Sequence, residues 1–112
     1  MNTTKIIEKV EIDKFKELVC KCENNIFVGA HAIDHLSNAQ RKLFNEDELK
    51  KPLLQEAPEA IGLQRNGRYA VFYKRNKYYL KLIIGVNIKR MEIITFINTE
   101  GMPNMERLEN DG

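Results

Sequence analysis

Two histidines, His31 and His35, sit four residues apart in a stretch whose apolar residues repeat at helical spacing. Side chains at i and i+4 share one helix face, a spacing that places two imidazoles on one metal ion. Zinc, however, needs a third ligand and, for hydrolysis, a glutamate beside the first histidine; here the intervening residues are Ala32, Ile33 and Asp34. Proton transfer is the other chemistry of an imidazole near neutral pH, and His31, opening its helix, is the better placed of the two. A third reading makes both histidines ordinary exposed helix residues. Cys20 and Cys22 are two apart, so on a helix they point to different sides. Cys22 falls on the apolar stripe, and neither thiol is assigned a metal or redox role. Helix capping accounts for the acidic run Asn45-Glu46-Asp47-Glu48. No metal and no cofactor is expected.

The remaining chemistry lies in the charge distribution. The 112 residues carry a formal charge of +2, but residues 1–64 sum to −2, residues 65–91 to +8 and residues 92–112 to −4. The middle stretch holds Arg65, Arg68, Lys74, Arg75, Lys77, Lys81, Lys89 and Arg90 with no acid, and also all four tyrosines (Tyr69, Tyr73, Tyr78, Tyr79) and Phe72. Cations contact phosphates and release counterions, and aromatic rings stack on unpaired bases, so this stretch points to RNA. A solvated sheet face with residues chosen for strand propensity is the alternative.

The length fits one domain able to bury a modest core without staples. Two cysteines make no disulfide framework, no apolar run is long enough to cross a bilayer, and the first residues lack an apolar signal core. A cytoplasmic protein with no membrane partner is the expectation. Residues 5–12 are β-branched and fit a short strand or a helix lead-in. Asp13 suits an N-cap, followed by Phe15, Leu18, Val19 and Cys22 at helical spacing, with Asn24-Asn25 as the stop. Ile26 to Gly29 is an apolar link, short for a strand. The next helix is predicted from about 30 to 44, and another starts at Asn45, bends or restarts at Pro52 and ends by Pro58.

From residue 60 the apolar period changes to two. Ala60–Gln64, Tyr69–Arg75, Tyr78–Ile84 and Met91–Asn98 read as strands. Asn66-Gly67 predicts a type I′ turn, and Asn76-Lys77 a two-residue turn. The second turn sets a register in which Tyr69, Val71 and Tyr73 face Ile84, Leu82 and Leu80 on a core face. Ala70, Phe72 and Lys74 then face Ile83, Lys81 and Tyr79 on a face that mixes cations with aromatics. The predicted fold is α+β, with N-terminal helices packed on a four-stranded antiparallel β-meander. Residues 1–101 form the single domain, and 102–112 an acidic, loosely ordered tail.

Taken in order, His31-Ala32 opening a helix, Arg41, an acidic short helix ending near Pro58, Gly67-Arg68 in a hairpin, an aromatic–lysine strand pair and a last strand with Ile94-Thr95-Phe96 resemble a known family. The likeness, over residues 26–98, is to the barnase–EndoU–colicin–RelE (BECR) superfamily of small toxin-type ribonucleases, found in toxin–antitoxin modules, phage-associated nucleases and contact-dependent toxins. It implies metal-independent RNA cleavage by 2′-hydroxyl attack, with His31 as acid/base. It implies further that Arg68 and Lys81 stabilise the phosphate, that Thr95 hydrogen-bonds it, and that Arg41 assists. Arg65 and Lys74 would hold substrate, and Tyr79 would stack on a base or share in proton transfer. A protein inhibitor, either an antitoxin or an immunity protein, would be a partner. Two rival functions follow from the same residues: a non-catalytic RNA-binding module, and an immunity- or antitoxin-like protein that binds another protein.

Overall fold

The computed structural model describes residues 2–34, 36–43 and 45–105, with residues 40, 41 and 43 described by backbone alone. The fold is α+β, and its sheet has six strands rather than four. In chain order the elements are β1 (Ile6–Lys9), α1 (Ile12–Lys21), β2 (Ile26–Val28), α2 (Ala30–Asp34), α3 (Asn38–Leu43), α4 (Glu46–Gln55), β3 (Ala60–Gln64), β4 (Tyr69–Lys74), β5 (Tyr79–Asn87) and β6 (Arg90–Thr99). Strand order is β1-β3-β4-β5-β6-β2, antiparallel except for the parallel β2–β6 pair. No helix among the described residues is long and apolar enough to cross a membrane.

Both additions to the sheet come from segments with weak local patterns. β1 pairs with β3, Ile6 opposite Gln64, and a Cβ on Gly62 would run into the Ile6 side chain. The apolar link 26–28 becomes β2, with Ile26, Phe27 and Val28 opposite Met91, Glu92 and Ile93. Its other edge is blunted, because the Val28 N–H donates to Glu46 Oε1 at 3.0 Å. Glu46 therefore does more than favour the start of a helix: it ties α4 to an edge strand. Asn45 caps α4 as its residue type predicts, its Oδ1 accepting from the Asp47 N–H at 2.9 Å.

Helix boundaries differ from the periodic pattern in three places. α1 begins at Ile12 with Glu11 at the cap position, so Asp13 sits within its first turn instead of capping it. The helix expected over 30–44 is split into α2 and α3, with Ser37 just before the second, a residue that favours helix starts over interiors. α4 continues through Pro52, which is buried, and ends at Gln55.

The β4–β5 register has each of the six pairs that an Asn76-Lys77 turn implies, from Tyr69 opposite Ile84 to Lys74 opposite Tyr79. One sheet face carries the core: Ile61, Val71, Tyr73, Leu82, Ile84 and Ile93 pack with Phe15 and Val19 of α1, Ala32 of α2 and Leu53 of α4. The Tyr69 ring lies 5.8 Å from that of Phe15. The second face holds a smaller cluster of Ile6, Ala60, Ala70, Phe72 and Ile83, onto which Met102 and Met105 fold. Residues 106–112 lie outside the described residues.

The first hairpin does not make the type I′ turn. Only Gly67 has a positive φ there, +88°, while the Gly67 N–H donates to the Gln64 C=O at 2.9 Å and the Gln64 N–H to the Arg68 C=O at 2.8 Å. This is a three-residue loop, a type I turn followed by a left-handed glycine bulge. The extra residue shifts the register by one, pairing Leu63 with Tyr69 and aligning Gln64 with Arg68 on the second face.

Tyr73 is wholly inside, and its hydroxyl has no hydrogen-bond partner. Burial pushes its ionisation well above the ordinary tyrosine range, Glu56 raises it further, and Arg75 partly offsets the two. Arg75 lies 6.0 Å from the Tyr73 ring centroid and pairs with both Glu56 oxygens, at 2.9 and 3.1 Å. In the unfolded chain Tyr73 deprotonates near pH 10, whereas the native state keeps its proton; native protein thus binds more protons, and stability falls as pH rises above about 10. Denaturant midpoints should show Tyr73→Phe equal to or more stable than wild type at pH 7. Above pH 10 its stability should decline less steeply, by up to about 1.4 kcal/mol per pH unit.

Candidate functional site

The second face of β5 reads Gly85, Ile83, Lys81, Tyr79, and each residue has a fixed neighbour on β6. Thr95 stands opposite Ile83 and Ile97 opposite Lys81. Between Ile83 and Ile84 the register slips, because Ile84 pairs with Ile93 and leaves Ile94 as an extra residue. That bulge turns Ile94 and Thr95 toward the same side of the sheet. Lys81 leans across the sheet to the buried Phe72, its Nζ 5.6 Å from the ring centroid. Arg68 arrives from the first hairpin, where its N–H donates to Asn66 Oδ1 at 2.9 Å.

His31 reaches this face from beyond the sheet edge. The Gly29 N–H donates to the Ile93 C=O at 3.0 Å, the last link of the parallel pairing, and α2 begins at the next residue. Ala32 is fully buried in the core, which anchors α2 and leaves His31 exposed on its other side. The result is a concavity of about 270 Å³ whose walls include His31, Arg68, Lys81 and Thr95 together with Thr4, Gln64 and Asn66, over a floor of Ile83, Ile94 and Ile97. Among the described residues a guanidinium, an ammonium and an imidazole line it, with no carboxylate.

The other residues proposed from sequence lie elsewhere. Arg65 is exposed in the hairpin loop, and Lys74 and Tyr79 oppose each other at the far end of the face, outside the concavity. Arg41 is in α3 and its side chain lies outside the described residues, as does His35 altogether. Of the four tyrosines, Tyr69 and Tyr73 pack on the core face. Among the described residues no three His, Cys, Asp or Glu side chains are grouped to hold a metal ion.

Two features of the face escaped sequence reasoning. Gln64, only 2% exposed, is the first. The second is an aromatic platform: Arg90 lies 4.1 Å over the Phe27 ring, in a neighbouring concavity of about 360 Å³ that shares Asn66, Arg68 and Ile94 with the first. Glu92 supplies a carboxylate there. The acid-free run ending at residue 91 includes Arg90, but its partner Phe27 joins it only through the parallel strand. A larger concavity, about 520 Å³, lies between the β1–α1 junction, β3 and Met102–Met105. Among its described residues it carries Glu11, Asp13 and Glu59 against one cation, Lys9, and shares none with the basic site.

Protein-family models, curated proteins and solved structures give no match to this chain. Its site is read from its own residues. The arrangement suits an anion: a planar guanidinium from the first hairpin and an ammonium from β5 line one concavity, with a hydroxyl and an imidazole beside them. Arg68→Ala and Lys81→Ala should each weaken binding of a single-stranded oligonucleotide and reduce the slope of log affinity against log salt by about one. Lys16→Ala, on the exposed face of α1, should change neither. Fluorescence titrations over a salt series check both.

Proposed function

We propose that this protein is a metal-independent endoribonuclease of toxin type, with a fold related to the BECR superfamily. One observation carries the reading: His31, Arg68, Lys81 and Thr95, drawn from α2, the β3–β4 hairpin, β5 and β6, line a single concavity that has no carboxylate among its described residues. RNA cleavage of this kind needs few parts. The ribose 2′-oxygen bonds to the adjacent phosphorus while its proton passes to a base. The bond from phosphorus to the 5′-oxygen breaks, and that oxygen receives a proton. The products are a 2′,3′-cyclic phosphate and a 5′-hydroxyl end.

Imidazole is the side chain suited to exchange such protons near neutrality, and His31 lines the concavity. Arg68 and Lys81 bring positive charge to the phosphate oxygens, where negative charge grows in the transition state. Thr95 offers a hydroxyl donor that the bulge turns into the same space. The stack of Arg90 on Phe27, next along the face, is a place for a neighbouring base. That stack also favours a second reading, in which the groove holds single-stranded RNA without cutting it.

Incubating the protein with total RNA in EDTA and mapping the ends tests the proposal. Cleavage with cyclic-phosphate ends is expected, slowed about 10²–10⁴-fold by His31→Ala. Intact RNA bound in a salt-sensitive manner would instead establish the second reading. Cleavage indifferent to His31→Ala would remove the assignment of that residue.

A further inference from the structure

Two hairpin tips project from the same end of the sheet. Residues 65–68 join β3 to β4, and residues 87–90 form the β5–β6 turn, where Asn87 pairs with Arg90. Each tip contains a residue with a positive φ. In the first it is Gly67, which has no Cβ to obstruct that conformation. In the second it is Ile88, at +55°, where the branched Cβ of isoleucine crowds its own backbone. Glycine or asparagine would adopt the same turn at far less cost. No burial within the chain offsets this strain, because the Ile88 side chain is 89% exposed. Backbone and solvent both disfavour isoleucine here. Burial against something outside the chain accounts for it.

The surroundings identify the occupant. Arg65 and Arg68 of the first tip and Lys89 and Arg90 of the second are exposed, and neither tip contains an acid. Between the tips lies the concavity of about 360 Å³, walled by Asn66, Gly67 and Arg68 on one side and Asn87 and Arg90 on the other. Its carboxylate, Glu92, is two residues further along β6. A polyanion is the complementary partner. A membrane or a protein interface would draw on an apolar patch, whereas Ile88 has Asn87 and Lys89 on either side. A lone apolar side chain among cations suits a nucleic acid strand, whose phosphates meet the charges and whose stacked bases part to admit one wedge.

We propose that Ile88 is an intercalating wedge, entering between two adjacent bases of a bound RNA strand while Arg65 and Lys89 meet the neighbouring phosphates. One of the parted bases then rests on the Arg90–Phe27 stack. The proposal rests on the RNA contact of the function proposed above and adds what the protein does to the strand: it unstacks one step beside the site.

The probe is a short 2′-O-methyl oligoadenylate, uncleavable by 2′-hydroxyl attack, with 2-aminopurine at every other position. Stacking quenches 2-aminopurine, so a parted step raises its fluorescence. Saturating wild type and Ile88→Leu should each produce the rise. Ile88→Asn and Ile88→Gly should bind about 3–10-fold more weakly, with the salt slope kept and no rise at saturation. Both should melt at or above the wild-type temperature, because asparagine and glycine relieve the turn. No rise with wild type, or a rise that survives in Ile88→Asn and Ile88→Gly, would overturn the proposal. Lower melting of both variants would also overturn it, making Ile88 a structural residue. So would sedimentation with phosphatidylserine vesicles that Ile88→Asn abolishes while oligonucleotide binding is unchanged, since the tip would then belong to a membrane. Base parting by a protein that leaves total RNA intact would uphold the wedge and remove cleavage; cleavage without base parting would do the reverse.

Discussion

Everything on the second face depends on the pairing of β5, which is hydrogen-bonded along both edges, to β4 and to β6. A strand held on both sides cannot slide without turning every side chain over. Leu82 and Ile84, both fully buried against the helices, make such a slide costly, since each would leave a core that α1, α2 and α4 close over. Lys81 and Ile83 are thereby committed to the opposite face. The hydrophobic layer on one side of the sheet fixes the cation on the other.

Regular pairing alone would not build the concavity. Three local irregularities bring its walls together: the left-handed Gly67 that aligns Arg68 with Gln64, the extra residue Ile94 that turns Thr95 inward, and the short parallel strand that delivers α2 to the edge of β6. Each departs from ideal sheet geometry, and each sits beside a polar group of the site. Bulges recur where a sheet must redirect a side chain, and here two of them do so on neighbouring rows.

The parts of this protein that obey a local period were legible in its sequence. The alternation in 69–84 and the Asn76-Lys77 turn yield the β4–β5 register pair by pair, and the stripe through Phe15 and Val19 yields α1. Asn66-Gly67 was legible as a turn but not as this turn. Read as type I′ it sets Gln64 across from Tyr69, on the core side, and so hides the one buried polar residue of the site. β2 was illegible for a different reason: three residues carry almost no periodicity, and the partner that makes them a strand lies 65 positions away, Ile26 against Met91. The same separation explains why Phe27 and Arg90 could not be joined from sequence. His31 could be nominated by its chemistry, but its position at the rim follows only from that parallel pairing.

That long-range pairing also sets an order of assembly. Helices and hairpins can form within their own stretches of chain, whereas β2 has no neighbour until β6 exists. A chain growing from a ribosome presents His31 early and Thr95 some sixty residues later, so the basic hairpin is complete before the imidazole has anywhere to dock. The concavity cannot form until β6 is in place. The basic hairpin and His31 become parts of one surface only when the sheet closes at Met91 to Ile93.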